Sequence, residues 1–167
     1  SSPVQVPGTT WAYASANEGG IVASKTDGTL WSWGYGGFSG FLGENARVNR
    51  SSPIQVPGLS GISIADGKVS LGNRNWFAIN TDGEMWVCGN NHEGILGNGK
   101  SNSDTGGLLS SPVQVSGTNW NTVLGRAAYW SMGGKTDGTL WVWGASTKST
   151  GRDGLNGAGG PGDSRSS

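Results

Sequence analysis

Few residues of this chain pair a reactive side chain with a neighbour able to activate it. His92 is the sole histidine. A catalytic or metal-binding imidazole works with a second ligand or an orienting partner, and the sequence around His92 supplies no second histidine and no cysteine pair. A solvated loop residue is the reading that stands. Cys88 is the sole cysteine, so no internal disulfide can form and the redox compartment stays open. A reactive thiol needs surroundings that stabilise the thiolate, whereas a buried apolar one is inert. Residues 157–163, Gly-Ala-Gly-Gly-Pro-Gly-Asp, have the wrong spacing for a calcium-binding nonapeptide and occur once. Asn49-Arg50-Ser51 fits a glycosylation sequon, which matters only on a secretory route. With no nucleophile–base pair, metal cluster or phosphate loop, the expectation is no catalytic residue, no metal, no cofactor and no enzyme.

Recognition is the other chemistry a chain can carry. Tyr35, Phe38, Phe41, Lys148 and Arg152 are aromatic or basic residues in Gly-rich segments. Loops held by a rigid β scaffold are where partners are usually contacted, so these five are the candidate partner-contact residues. Phe41 occupies the slot that Ile95 fills in the next repeat, which offers it an inward-facing alternative.

The elements that must position these residues are repeated. Lys25-Thr26-Asp27-Gly28-Thr29-Leu30-Trp31-Ser32-Trp33-Gly34 returns as 80–89 and 135–144, and Asp27, Asp82 and Asp137 are 55 residues apart. A second phrase is locked to it: Ser-Ser-Pro-Val-Gln-Val-Pro-Gly at 1–8, with close copies at 51–58 and 110–117. A fixed period of this length marks a repeat array. Its three units are 1–50, 51–109 and 110–167. Asp27-Gly28, Asp82-Gly83 and Asp137-Gly138 lie between short apolar runs and predict hairpin turns, because glycine adopts positive φ without steric cost.

Side chains alternate along a strand, so Trp31 with Trp33, Trp86 with Cys88, and Trp141 with Trp143 share a face. These six are expected to form the packed core, Cys88 standing where two other repeats place a tryptophan. Pro-Val-Gln-Val reads as another strand with proline at its first residue. Residues 13–16, 62–65 and 122–125 read as a further strand in each repeat. About four short antiparallel strands per repeat make one propeller blade; an up-and-down sandwich leaves the period unexplained. The fold class is all-β, three propeller blades forming part of a larger array.

Composition agrees with this architecture. Glycine accounts for 32 of 167 residues, tryptophan for 9, and only 13% are charged. Disordered chains have few aromatics and high net charge. The formal net charge here is zero, and no basic run exists, which argues against nucleic acid as a partner. No apolar stretch is long enough to span a bilayer.

Three motifs together resemble the regulator of chromosome condensation repeat family: Gly89-Asn90-Asn91-His92-Glu93-Gly94-Ile95-Leu96-Gly97, the Ser-x-Pro-x-x-Val strand, and the Thr-Asp-Gly-x-x-x-x-Trp-Gly hairpin. The resemblance covers essentially the whole chain. It departs in the loops, where residues 34–43 lack the asparagine and 144–157 keep only Gly154-Leu155-Asn156-Gly157. The family's His-Ser before the inner strand is absent from all three repeats. Its known activities are nucleotide exchange with chromatin binding, β-lactamase inhibition and ultraviolet sensing, and none carries over residue by residue.

The near-verbatim repeat phrasing resembles the bacteriophage and bacterial version of the family. That resemblance implies a structural protein of a virion surface or appendage, located on the virion or outside the cell. The alternative is a secreted or cytosolic binding propeller, an inhibitor or adaptor. Expected partners are other protein subunits, further repeats of the same chain, or a host-surface ligand. Three blades are not expected to close a ring alone. Residues 164–167 resemble the start of a fourth repeat, so either the natural chain continues or copies pack end to end.

Overall fold

The computed structural model describes residues 2–37, 40–100, 107–125 and 130–144. They form three antiparallel sheets. The first contains β1 (Trp11–Asn17), β2 (Gly20–Lys25), β3 (Leu30–Gly34) and β4 (Arg50–Gln55) in that spatial order. The second contains β5 (Val69–Leu71), β6 (Asn75–Ile79), β7 (Met85–Asn90) and β8 (Leu108–Gln114), with a short 3-10 turn at His92–Gly94 between β7 and β8. The third contains β9 (Trp120–Leu124), β10 (Trp130–Lys135) and β11 (Leu140–Gly144).

The three Asp-Gly pairs form equivalent turns between β2 and β3, β6 and β7, and β10 and β11. In the first, Lys25 N–H donates to the Thr29 carbonyl and Gly28 N–H to the Lys25 carbonyl, both at 3.0 Å. Gly28, Gly83 and Gly138 have φ of 78°, 76° and 83°, the left-handed conformation a three-residue hairpin loop demands. In the first two blades a glycine at or next to the end of the third strand must come close to its neighbour: a Cβ on Gly34 would stand 2.5 Å from Gly20 Cα. A Cβ on Gly89 would stand 2.3 Å from the Arg74 carbonyl oxygen.

Blades and sequence repeats are offset by one strand. β4, which opens the second repeat, pairs with β3 and completes the first blade; β8, from the third repeat, completes the second. The repeat boundaries at 50 and 109 therefore fall inside blades, because the outer strand is donated by the following repeat. Pro53 and Pro112 lie within these strands rather than at their first residue. They are tolerated because β4 and β8 are outermost strands with a register shift in each pairing, where a missing N–H removes no interior ladder bond. The first copy of the phrase, Pro3 to Val6, is not in a strand.

The middle blade corrects another expectation. Residues 62–65 do not form its first strand. Ile62 makes one isolated bridge to Asn80, the chain bulges outward, and the ladder resumes at β5. Gly67, in the bulge, has φ of 77°, and its carbonyl accepts the N–H of Val123 in the next blade at 2.9 Å. The extra residues thus tie two blades together.

Two apolar layers lie between the three sheets. Val22, Leu30, Phe41, Leu42, Val56, Val69, Leu71, Trp76 and Cys88 pack between the first and second blades. Phe77, Met85, Val87, Leu96, Val115, Trp120 and Val123 pack between the second and third. Removing a large apolar side chain from water stabilises by roughly 1.5–3 kcal/mol, so these layers are what hold the sheets face to face. Main-chain bonds fix their register: the N–H groups of Ile62 and Trp120 donate to the turn carbonyls of Gly28 and Gly83 at 2.9 and 3.0 Å.

Candidate interaction surfaces

The expected tryptophan core is only partly a core. Cys88 is fully buried, but Trp31, Trp33, Trp86 and Trp143 are half-buried, and Trp141 is 50% exposed. Of the other third-strand positions, Leu30, Ser32, Met85 and Val87, on the opposite face, are fully buried. Trp141 is the most open for a structural reason. Trp31 is flanked by Gln55 of β4 and Trp86 by Gln114 of β8, whereas β11 has no outer neighbour among the described residues.

Instead of filling a dry core, the indoles near the turns build a recurring cation–π stack. Lys25 Nζ lies 4.9 Å from the Trp11 ring and 4.0 Å from Trp31. Lys135 Nζ lies 4.7 Å from both Trp120 and Trp141. Each pair of rings meets edge to face, with centroids 5.9 and 6.2 Å apart. A polar chain closes the outer side: Trp31 Nε1 donates to Thr29 Oγ1 at 2.8 Å, and Thr29 Oγ1 donates to Asp27 Oδ1 at 2.6 Å. Trp141, Thr139 and Asp137 repeat this arrangement at 2.9 and 2.6 Å. Asp27 and Asp137 are held below the ordinary carboxylate value, first by the threonine hydroxyl and then by the threonine N–H.

The middle turn keeps Asp82 and Trp86 but departs at the other three positions. Ile62 replaces the first tryptophan, Asn80 the lysine and Glu84 the threonine. Asn80 Nδ2 donates to Glu84 Oε2 at 2.7 Å, and Asn80 Oδ1 accepts the N–H groups of Asp82 and Glu84. Asn80, Asp82, Glu84 and Trp86 then line a cleft of about 290 Å³ with residues 58–61. An indole that carries a lysine in the outer blades here borders two carboxylates instead.

Of the candidate loop residues, Tyr35 is exposed. Phe41 is 1% exposed and packs into the first interblade layer, so its place is structural: an apolar side chain in the Ile95 slot turns inward. Phe38, Lys148 and Arg152 lie outside the described residues. His92 starts the 3-10 turn, where its N–H donates to Asn90 Oδ1 at 2.8 Å. Among the described residues no group of three His, Cys, Asp or Glu side chains could hold a metal, and no helix is long and apolar enough to cross a membrane. The thiol of Cys88 is pushed up to about 12 by burial, which keeps it protonated and unreactive. The middle-turn cleft was missed in sequence. Its signal was the paired replacement of Lys and Thr by Asn80 and Glu84.

No family model matches the chain. The E3 ubiquitin-protein ligase HERC2 of Homo sapiens is 32% identical over 79 residues, which is 47% of this chain and 2% of that protein. The mitochondrial RCC1 domain-containing protein RUG3 of Arabidopsis thaliana is 30% identical over 129 residues, covering 75% of this chain and 28% of that protein. The chain thus spans less than a third of the curated relatives it matches.

Among solved structures, human WBSCR16 aligns with a TM-score of 0.67 at 18% identity, over 80% of this chain and 33% of that one. Yeast RCC1 (Prp20), in its complex with Kap60, aligns with a TM-score of 0.62 at 18% identity, over 79% and 31%. Curated relatives and solved structures together support the RCC1-like repeat family, and the fold they share with this chain is the β-propeller.

Proposed function

We propose that this chain is a non-enzymatic, protein-binding propeller module whose recognition surface is centred on the middle hairpin end. The observation that carries this reading is the departure at Ile62, Asn80 and Glu84 from a stack that both outer blades build. In the outer blades the chain's own lysine lies on the indole. Around Trp86 the same place borders two carboxylates and suits a lysine or arginine from a partner, attracted by both the charges and the ring. Yeast RCC1 bound to Kap60, and Prp20p of Saccharomyces cerevisiae with its binding to Gsp1p and histones, are structural neighbours that engage proteins. They support a protein as the ligand class.

The setting taken from the repeat phrasing is a virion surface or appendage, with a secreted or cytosolic adaptor or inhibitor as the alternative. Quantitative affinity purification with the chain as bait tests the site. A partner retained by the wild type and by Asp137→Lys, but lost with Asp82→Lys/Glu84→Lys, supports it. Equal retention by all three overturns it. Mass spectrometry of purified particles tests the setting, and absence of the polypeptide from them rejects it.

A further inference from the structure

The three Asp-Gly turns share a sequence core and a backbone conformation, but their carboxylates are held differently. Asp27, Asp82 and Asp137 are all exposed, and Gly28, Gly83 and Gly138 are all left-handed. In the outer turns the aspartate is tied down. Asp27 Oδ1 accepts the Thr29 N–H at 2.9 Å and its hydroxyl at 2.6 Å, and Asp137 Oδ1 accepts the same pair from Thr139. In the middle turn Asn80 plays that role. Its Oδ1 accepts the N–H groups of Asp82 and Glu84 at 3.1 and 2.8 Å, and its Nδ2 donates to Glu84 Oε2 at 2.7 Å. Among the described residues nothing donates to the Asp82 carboxylate.

An untied aspartate followed by glycine has a reaction of its own. The main-chain nitrogen of the glycine attacks Cγ of the carboxyl group, and no side chain on the glycine shields it. The N–Cγ bond forms, the C–OH bond breaks, and the hydroxyl leaves as water with the amide proton. The cyclic succinimide then takes water back. Addition at Cγ restores aspartate, whereas addition at the aspartate's own main-chain carbonyl carbon gives isoaspartate, whose chain runs through Cβ and Cγ. Nothing is oxidised or reduced, and the mass is unchanged. The attack needs a carboxyl group that is neutral and free to turn its carbon toward the nitrogen. Bonds donated to the carboxylate oppose both, because they favour the ionised form and fix its orientation. Such bonds, from the threonine hydroxyl first, hold Asp27 and Asp137 below the ordinary carboxylate value. The glycine N–H groups do not separate the three turns: each donates within its own turn, at 3.0 Å for Gly28, 3.2 Å for Gly83 and 3.1 Å for Gly138.

We propose that Asp82-Gly83 is a site of spontaneous isoaspartate formation in the folded protein, and that Asp27-Gly28 and Asp137-Gly138 are protected from it. The product adds one atom to the main chain of the middle turn. The Gly83 carbonyl of that turn accepts the Trp120 N–H of the next blade at 3.0 Å, so isomerisation loosens the joint between the second and third blades. It also displaces the Asp82 carboxylate from the cleft beside Trp86. The chemistry needs only water and is independent of what that cleft binds.

Peptide mapping after several weeks at mildly acidic pH and physiological temperature tests this. Trypsin places the three Asp-Gly pairs in different peptides, and electron-transfer fragmentation tells isoaspartate from aspartate. In the folded chain isoaspartate is expected to form at 82 at least about tenfold faster than at 27 or 137, the rate equivalent of one bond to a charged group that need not break. In urea the three Thr-Asp-Gly sequences are expected to convert at similar rates. Asn80→Lys/Glu84→Thr restores the outer-turn residues and is expected to bring position 82 down to the level of the other two. Thr29→Ala, made in the wild-type background, is an independent check, expected to raise position 27 and leave 137 unchanged. Equal rates at the three positions of the folded chain overturn the proposal. So does the same excess at 82 in urea, which would place its cause in the neighbouring residues rather than in the turn. An undiminished rate at 82 in Asn80→Lys/Glu84→Thr, or an unmoved rate at 27 in Thr29→Ala, overturns it as well.

Discussion

Trp76 and Cys88 face each other across β6 and β7, and the indole N–H of Trp76 donates to the Phe41 carbonyl of the preceding blade at 2.8 Å. In the third blade the same two register positions hold Ser131 and Trp143, and the indole N–H of Trp143 donates to the Ile95 carbonyl of the preceding blade at 2.9 Å. Each interface therefore uses one indole to satisfy one buried loop carbonyl. The indole comes from the second strand in the middle blade and from the third strand in the last. Cys88 is small because its cross-strand partner is large.

This exchange predicts strong coupling. Trp76→Ser alone is expected to cost about 3–5 kcal/mol, the range for emptying a buried tryptophan site. Cys88→Trp alone overpacks a filled layer and costs about 1–3 kcal/mol. The double variant moves the indole to the strand the third blade uses and is expected to be more stable than Trp76→Ser alone, with a coupling above about 1 kcal/mol. Urea unfolding of the four proteins measures it. Additive losses would show that the two residues do not share one site.

How much of this was readable in the residues themselves divides along a physical line. The hairpins were, because Asp-Gly at 27–28, 82–83 and 137–138 specifies a local backbone conformation that no distant contact has to supply. Alternation also placed Trp31 with Trp33 and Trp86 with Cys88 on common faces. What alternation cannot report is which face meets another sheet, or where along a strand the covering neighbour stops. Trp141 is open because β11 has no outer neighbour among the described residues, and Leu140 is open although Leu30 is not. The offset between repeat and blade was hidden for the same reason: whether Ile54 pairs forward or backward is a tertiary choice. In the candidate site, the differences at Asn80 and Glu84 were visible as letters, but their meaning depended on the stack of Lys25 between Trp11 and Trp31.

The thiol of Cys88 is buried, with Sγ 3.0 Å from the Leu109 carbonyl oxygen, and burial raises it from 9.0 to about 12. Since the thiolate is the nucleophile, a disulfide reagent at neutral pH should label the native protein at least about a hundredfold more slowly than the urea-unfolded chain. The folded value lies above the unfolded one, so this group's contribution to stability is complete below pH 9.0 and is lost as pH rises toward about 12. Rapid native labelling at neutral pH would mean that the layer around Trp76 opens readily.

The acid limb of the stability curve has its own local origin in Thr29 and Thr139. Asp27 Oδ1 accepts the Thr29 N–H at 2.9 Å and the Thr29 hydroxyl at 2.6 Å, and Asp137 accepts the same pair from Thr139. These bonds favour the ionised carboxylate, so both groups titrate below the ordinary 3.8. With the folded value depressed, their contribution is present above pH 3.8 and is lost as pH falls through the lower folded value. Both carboxylates are solvent-exposed, so the effect is confined to a shallow slope rather than a collapse. Thr29→Ala removes the hydroxyl, which is the largest cause for Asp27. The Asp27 carboxyl carbon, followed by NMR titration, should then move up toward 3.8 while Asp137 stays where it was. The same substitution takes the acceptor from Trp31 Nε1, so the Trp31 indole proton should exchange faster with solvent. An unmoved Asp27 titration in Thr29→Ala would show that the hydroxyl is not what holds the carboxylate ionised, and the turn-to-indole chain would lose its first link.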